Sequence, residues 1–340
     1  MILLSAVLGW FYPDIWVNGR IGVRQKSIRK ASLTHPELSR SLRVTDVVLK
    51  KDVMLHFPYH SFNPVIDLLR ESAMDPDVVS IKITAYRLAP ASKVINALIN
   101  AARNGKQVTV MLEVKARFDE EANLEWKDVL EQEGITVLYG IQNMKVHAKI
   151  CVIKKREKNK TLQYGFVSTG NLHEKTARVY GDHCLLTSNR NVMADINKIF
   201  QFLEYPEKGY GPLERCNTLM VSPISMRTGI EGLINHEIKQ AKAGKKAAIT
   251  IKLNSLSDVN LIKKLNDAAV AGVTINMIVR GIFCALVNHK KFNARPRAIS
   301  IVDEYLEHAR VMIFYNGGKE KVYISSADWM VRNIDHRIEA

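Results

Sequence analysis

The chemistry of this chain is written twice. His147-Ala148-Lys149 precedes Ser168-Thr169-Gly170-Asn171 and then Asp182, while His308-Ala309-Arg310 precedes Ser325-Ser326-Ala327-Asp328 and then Glu339. Each copy supplies a histidine, a cation two residues on, a turn with a small hydroxyl, and a carboxylate. One such frame arises easily by chance. Two in the same order point to a tandem duplication and to one active site assembled from two half-sites.

The apolar spacing supports the duplication. Val78 to Thr84 is β-branched and follows the turn Asp75-Pro76-Asp77, which predicts a strand. Ser92 is placed to cap a helix with Ile95, Leu98, Ile99 and Ala102 on one face and Gly105 at its end. A strand over 108–114, a helix over 120–132 and a strand over 135–139 follow. In the second half, 247–253 reads as a strand, and Ser257 as the cap of a helix with Ile262, Leu265 and Ala269 facing inward. Gly272 ends that helix, and 273–279 is the next strand. Shifting by 167 residues lays Ile95, Leu98, Ala102 and Gly105 onto Ile262, Leu265, Ala269 and Gly272. Two α/β units of mixed sheet and flanking helix are expected. The join falls at the Gly/Pro-rich run from Tyr205 to Pro212, giving units over 33–212 and 213–340 after a leading segment, 1–32, without clear period.

Charge narrows the partner. With 49 Lys+Arg against 34 Asp+Glu, the net charge is +15, although the 47% apolar content is ordinary for a globular chain. Such an excess suits a polyanion: nucleic acid, anionic lipid or polymeric phosphate. Cys151, Cys184, Cys216 and Cys284 show no metal-ligand spacing and read as thiols in a reducing cytoplasm. The apolar start, Met1 to Trp10, is too short to span a bilayer and lacks a basic leader.

Histidine is suited to accept a phosphoryl group or exchange a proton near neutral pH. As a nucleophile it needs one neutral ring nitrogen aimed at the substrate and a carboxylate on the other to fix the tautomer. Nearness along the chain makes Asp182 the expected partner of His147, and Glu339 that of His308. Lys149, Arg310 and the amides around Ser168–Asn171 are candidates for holding phosphate oxygens. Arg87 and Arg117 follow the first two strands, at the carboxyl ends where α/β sheets place their sites. His35, His56, His60, His236 and His289 lie outside the doubled frame and read as packing or surface residues.

These motifs resemble the phospholipase D superfamily, in which an HxK pair and a following Ser/Gly-Asn turn occur twice. More specifically they resemble bacterial polyphosphate kinase of the histidine-phosphorylating type, and its C-terminal catalytic half. The segments that carry the resemblance are Leu49 to Tyr59, Ala85-Tyr86-Arg87, Ala116 to Asn123, Val146 to Lys149, Ser168 to Tyr180, Tyr305 to His308, and Ser325 to Glu339. The similarity runs from about residue 33 to the end.

The resemblance implies two tandem phospholipase D-like α/β domains that share one composite site. The activity it implies is reversible transfer of the terminal phosphate of ATP to polyphosphate through a phosphohistidine. His147 would be the phosphorylated nucleophile, and His308 the second active-site histidine, an acid/base. Tyr180 and Arg280 match positions that contact ATP. Lys149, Arg310, Asn171 and His308 would bind phosphate. Arg87 and Arg117 fall at the Mg²⁺–phosphate position, where a guanidinium serves as a phosphate clamp because it has no lone pair for a metal. The implied partners are ATP, ADP and inorganic polyphosphate rather than nucleic acid, with Mg²⁺ as cofactor and a homo-oligomer in the longer protein. The implied location is the cytoplasm, where family members can be peripheral at the inner membrane face. Polyphosphate, with roughly one negative charge per unit, accounts for the cationic excess.

Two departures separate this chain from a phosphodiesterase. Ile153-Lys154-Lys155 stands where the phospholipase D pattern expects an aspartate beyond the lysine, and Arg310 replaces the second lysine. The rival expectations are a phospholipase D-like phosphodiesterase or nuclease, and an inactive polyanion-binding module. The family has two domains before residue 33 and further sequence beyond Ala340, so part of the nucleotide base site is expected to lie outside this chain.

Overall fold

The computed structural model describes residues 32–38, 43–86, 88–89, 91–113, 120–141 and 144–340. The expected α/β architecture is the one observed. In the first half, helix α1 (Val44–Val48) leads into strand β1 (Val53–Phe57) and helix α2 (Asn63–Met74). Next come β2 (Val78–Ala85), α3 (Lys93–Arg103), β3 (Gln107–Leu112), α4 (Glu120–Gln132), β4 (Thr136–Tyr139) and the short β5 (Lys145–Val146). Then β6 (Lys149–Glu157), β7 (Lys160–Ser168) and β8 (Tyr180–Thr187) form an antiparallel meander.

Helix α5 (Arg190–Glu204) and the one-turn α6 (Gly211–Glu214) cross to the second half. It holds α7 (Met226–Lys242), β9 (Ala248–Leu253), α8 (Val259–Ala271), β10 (Thr274–Val279), β11 (Arg297–Ile299) and β12 (Leu306–Glu307). The hairpin β13 (Arg310–Phe314) and β14 (Lys321–Ser325), the short α9 (Val331–Ile334) and β15 (Arg337–Ile338) complete it. Among the described residues, no helix is long and apolar enough to cross a membrane.

The duplication is visible in the strand order. The first sheet runs β1-β8-β7-β6-β2-β3-β4 and the second β11-β10-β9-β13-β14. Read outward from the hairpins, β7-β6-β2-β3-β4 matches β14-β13-β9-β10-β11. Strands β2, β3 and β4 are parallel and joined through helices, as are β9 and β10. Two short strands of the second half leave its sheet. Strand β12 joins the first sheet, parallel to β8 at Tyr180 and Gly181, and β15 pairs in parallel with β5 of the first half. Both second-half strands thus pair with strands of the first half, at the two ends of the doubled frame.

Side-chain caps begin helices α3, α5 and α8. Ser92 accepts the Ile95 amide, as its position predicts. Helix α3 buries Val94, Ile95, Ala97, Leu98 and Ala101. Ile99 and Ala102 only flank the core, so the buried stripe is turned toward Ala101 relative to the expected face. The cap of α8 is Asp258 rather than Ser257. Its carboxylate accepts the Leu261 amide while also holding Arg227, which a hydroxyl cannot do. Gly272 ends that helix at φ +95°, a left-handed turn open to glycine. Each half has its own apolar core. A third cluster, with Val146, Ala148, Ile150, Met193, Phe200, Leu213, Val221 and Ile338, packs the two halves together.

Candidate active site

The strands that cross between the halves set the geometry of the histidines. The amides of His147 and Ala148 both donate to the Ile338 carbonyl, and those of His308 and Ala309 both donate to the Gly181 carbonyl. Each histidine thereby sits beside the carboxylate of the opposite half. His147 Nδ1 lies 2.8 Å from Glu339 Oε2, a partner 192 residues away. His308 Nδ1 lies 2.9 Å from both Asp182 oxygens, 126 residues away. The expected pairings of His147 with Asp182 and of His308 with Glu339 are thus corrected. Nearness along the chain favoured the wrong partner, because β12 and β15 cross between the halves.

The turns that precede the carboxylates aim them. Thr169 Oγ1 donates to Asp182 Oδ1 at 2.6 Å, and Ser326 Oγ makes the corresponding short bond to Glu339 Oε2. Asn333 Nδ2 donates to Glu339 Oε1 at 2.7 Å. The Thr169 amide donates to the His183 carbonyl and that of Gly170 to Ser168 Oγ, so neither is available to phosphate as the sequence suggested. Gly170 is required by close approach, since a Cβ there would fall 2.2 Å from Asp182 Oδ2. Ala327 occupies the matching place in the second turn, where the longer Glu339 replaces aspartate.

Burial sets the charge states. His147 is 9% exposed, and burial drives its pKa to about 3 against the pull of Glu339. Burial and the Arg310 guanidinium likewise hold His308 below the ordinary imidazole value, against Asp182. Burial alone would raise the two carboxylates. Asp182 is instead brought to about 2 by His308 and Thr169, and Glu339 to about 2 by His147, Lys149 and Ser326. Both imidazoles are neutral near pH 7, and the ionised carboxylates place the ring proton on Nδ1.

The half-sites differ at the other ring nitrogen. His147 Nε2 has no hydrogen-bond partner among the described residues; the Tyr86 ring stands edge-on to the imidazole at 4.8 Å. Arg310 Nη1 lies 3.1 Å from His308 Nε2 and 3.3 Å from Nδ1, which puts the guanidinium against the ring. Arg310 is itself held by Asp328, with Nη2 at 2.9 Å and Nε at 3.2 Å. The Asp328 carboxylate, unassigned from the sequence, also accepts the Asn254 and Ser255 amides. Its place opposite Asn171 in the doubled frame is the signal that could have revealed it.

Lys149 is 1% exposed and donates to the His147 carbonyl at 2.6 Å, with Nζ 5.1 Å from the Tyr86 ring centre. Tyr180 lies 5.3 Å from the His308 ring. Arg280 is held through its Nε to Asn254 Oδ1 at 2.8 Å. Lys252, which the sequence reading also missed, pairs with Glu307 at 3.0 Å and donates to the Ala309 carbonyl at 3.3 Å, bracketing His308. At the matching sheet position of the first half, Thr84 Oγ1 donates to the Ala148 carbonyl at 2.6 Å. Arg87 and Arg117 lie outside the described residues.

The donor set does not make a magnesium shell. Asp182, Glu339 and Asp328 are each committed to histidine, hydroxyl or guanidinium, and no group of three or more His, Cys, Asp or Glu suited to a metal occurs among the described residues.

Comparison with known proteins agrees with this architecture. The family profile described as polyphosphate kinase C-terminal domain 1 matches residues 43–209, and domain 2 matches residues 219–340. The chain is 47% identical over 294 residues to a polyphosphate kinase from Vibrio cholerae, covering 86% of this chain and 41% of that protein. It is 45% identical to the polyphosphate kinase of Escherichia coli K12, with 86% and 42% covered. It spans about two-fifths of the length of these curated relatives. The crystal structure of polyphosphate kinase from Porphyromonas gingivalis superimposes with a TM-score of 0.84 at 38% identity, covering 92% of this chain and 47% of that one. Phosphatidylserine synthase from Haemophilus influenzae, at 10% identity and a TM-score of 0.55, shares the fold alone. The chain therefore belongs to the polyphosphate kinase family, and it carries that family's paired C-terminal domains.

Proposed function

We propose that this chain carries the phosphoryl-transfer centre of a polyphosphate kinase, in which His147 takes the terminal phosphate of ATP and passes it to polyphosphate. The observation that carries the assignment is the difference between the imidazoles. His147 is neutral, oriented through Nδ1 by Glu339, and among the described residues has no hydrogen-bond partner at Nε2. His308 has a guanidinium against its ring.

In the forward step the Nε2 lone pair attacks the terminal phosphorus, the N–P bond forms, and the P–O bond to ADP breaks with the electron pair leaving on the ADP oxygen. Glu339 becomes the counter-ion of the ring as it acquires positive character. In the second step the terminal oxygen of polyphosphate attacks the phosphohistidine, and the lone pair returns to Nε2. Little covalent work is required of the protein, because positioning and charge stabilisation dominate such transfers. Arg310 and Lys149 supply donors for the equatorial oxygens, Tyr180 and Arg280 contact the nucleotide, and His308, held by Asp182, exchanges protons with the bridging oxygen. Asn171, Arg87 and Arg117 complete the phosphate-binding set in this reading. Magnesium would enter with the nucleotide, coordinated by phosphate oxygens and water rather than by a protein cage.

On this reading the protein works in the cytoplasm as a homo-oligomer that can associate peripherally with the inner membrane face. Incorporation of ³²P from [γ-³²P]ATP or from labelled polyphosphate should be acid-labile and base-stable. It should be lost in His147→Ala and retained in His289→Ala. Label persisting in His147→Ala would sink the assignment.

A further inference from the structure

The two cations of the doubled frame stand at the same register but not in the same electrostatic state. Lys149 pairs with Ser168 across β6 and β7, and Arg310 pairs with Ser325 across β13 and β14. Three residues beyond each serine comes Asn171 in the first half and Asp328 in the second. Arg310 therefore has its own counter-ion, a two-pronged ion pair with Asp328. Lys149 has none. Among the described residues its Nζ makes no ion pair, and its hydrogen bond goes to the His147 carbonyl, which a neutral amine satisfies as well as an ammonium does. Among the described residues Asn171 Oδ1 is buried without a partner, so the neutral side chain that replaces Asp328 does not compensate.

We propose that Lys149 waits in the empty site as a neutral amine and takes up a proton from solvent when a phosphate group arrives. Binding is thereby coupled to protonation at this one residue. The inference rests on the polyphosphate kinase reading of the same site. The proton balance is simple: a buffer acid gives its proton to the amine, the ammonium then pairs with a phosphate oxygen, and the proton leaves again when the phosphate does. An ammonium enclosed here without a counter-ion is strongly disfavoured, and the phosphate supplies the missing charge.

The surroundings are consistent with this. Burial is the largest influence and holds the amine well below its ordinary value, helped by Arg310 and Arg337; Glu339 and Asp182 pull the other way. His147, two residues away and neutral near pH 7, and the Tyr86 ring complete the enclosure. The Tyr86 face offers a partial partner to the ammonium once formed. The halves thus divide their labour. Arg310 is a permanent cation neutralised by Asp328, and Lys149 is a cation only while phosphate is bound. That arrangement would let a polyanion be gripped during transfer and released afterwards.

Calorimetric titration with inorganic tripolyphosphate at pH 8, in buffers of differing ionisation enthalpy, tests the coupling. The parent protein should take up about one proton more per site than Lys149→Arg, which binds as a permanent cation. Because the bulkier arginine enters a packed site, Asn171→Asp serves as a second variant. It supplies the carboxylate that Asp328 gives Arg310, and should abolish the extra uptake while weakening tripolyphosphate binding about tenfold or more. Equal uptake by the parent protein and both variants, with binding intact, would overturn the inference and leave the kinase reading standing. No tripolyphosphate binding by the parent protein would overturn both.

Discussion

Replacing Glu339 by glutamine should disable His147 although the two residues belong to opposite halves. Glu339 is fully buried, and both its oxygens accept: Oε1 from Asn333 at 2.7 Å, Oε2 from Ser326 and from His147 Nδ1 at 2.8 Å. A glutamine that keeps its carbonyl toward Asn333 must turn its NH₂ toward His147. Nδ1 then becomes an acceptor, the ring proton moves to Nε2, and the lone pair that should attack phosphorus is gone. The charge-assisted bond contributes about 1.5–3 kcal/mol, and reversing the tautomer adds a comparable amount. At about 1.4 kcal/mol per tenfold the rate should fall by roughly 10²–10⁴. The upper end matches the loss on the order of 10⁴ seen when a serine-protease triad aspartate is neutralised. Single-turnover labelling of His147 measures the rate. ¹⁵N spectra of histidine-labelled protein read the tautomer directly, with the proton on Nδ1 in the parent and on Nε2 in Glu339→Gln. Asp182→Asn, which touches His308, should leave the His147 tautomer unchanged. Labelling within about tenfold of the parent in Glu339→Gln, or a His147 tautomer that switches in Asp182→Asn instead, would refute the crossed pairing.

Acid should unfold the protein earlier than its carboxylates alone would allow. His56, His147 and His183 are buried with pKa values lowered to about 2, 3 and 4, chiefly by burial, so the unfolded chain binds three protons that the folded one refuses. Their contribution is fully present above the ordinary imidazole value of about 6.5 and is lost as pH falls from there toward 4, at up to about 4 kcal/mol per pH unit. Urea midpoints that stay flat between pH 7 and 5 would contradict this. Gly170→Ala should cost about 1–3 kcal/mol in urea unfolding, because the new methyl meets the Asp182 carboxylate, whereas Ala327→Gly should cost less than 1 kcal/mol. Lys252→Met should cost about 1.5–3 kcal/mol by removing its charge-assisted bond to Glu307, and Lys252→Met with Glu307→Gln should recover much of it in a double-mutant cycle.

The duplication was legible because apolar spacing, capping residues and glycine stops repeat locally. Ser92, Gly105 and Gly272 do in the structure what their positions foretold. The members of the site were legible too, since histidine, cation and carboxylate recur in order. Their pairing was not. Which carboxylate meets which imidazole depends on β12 joining β8 and β15 joining β5, and two-residue strands leave no periodic trace. Lys252 and Asp328 were missed for a related reason. A lysine within the apolar strand 248–253 and an aspartate in a turn look ordinary until the second half is laid on the first at sheet register. Only then do Thr84 and Asn171 show what has changed.

The nucleophile and its exposed nitrogen are tested most directly by locating the phosphate itself. After brief exposure to a phosphoryl donor, peptide mass spectrometry and ³¹P–¹H NMR of the labelled protein should place one phosphate on His147, bonded at Nε2, because Nδ1 is occupied by Glu339. Phosphate on His308, or on Nδ1 of His147, would contradict the assignment of roles to the two halves.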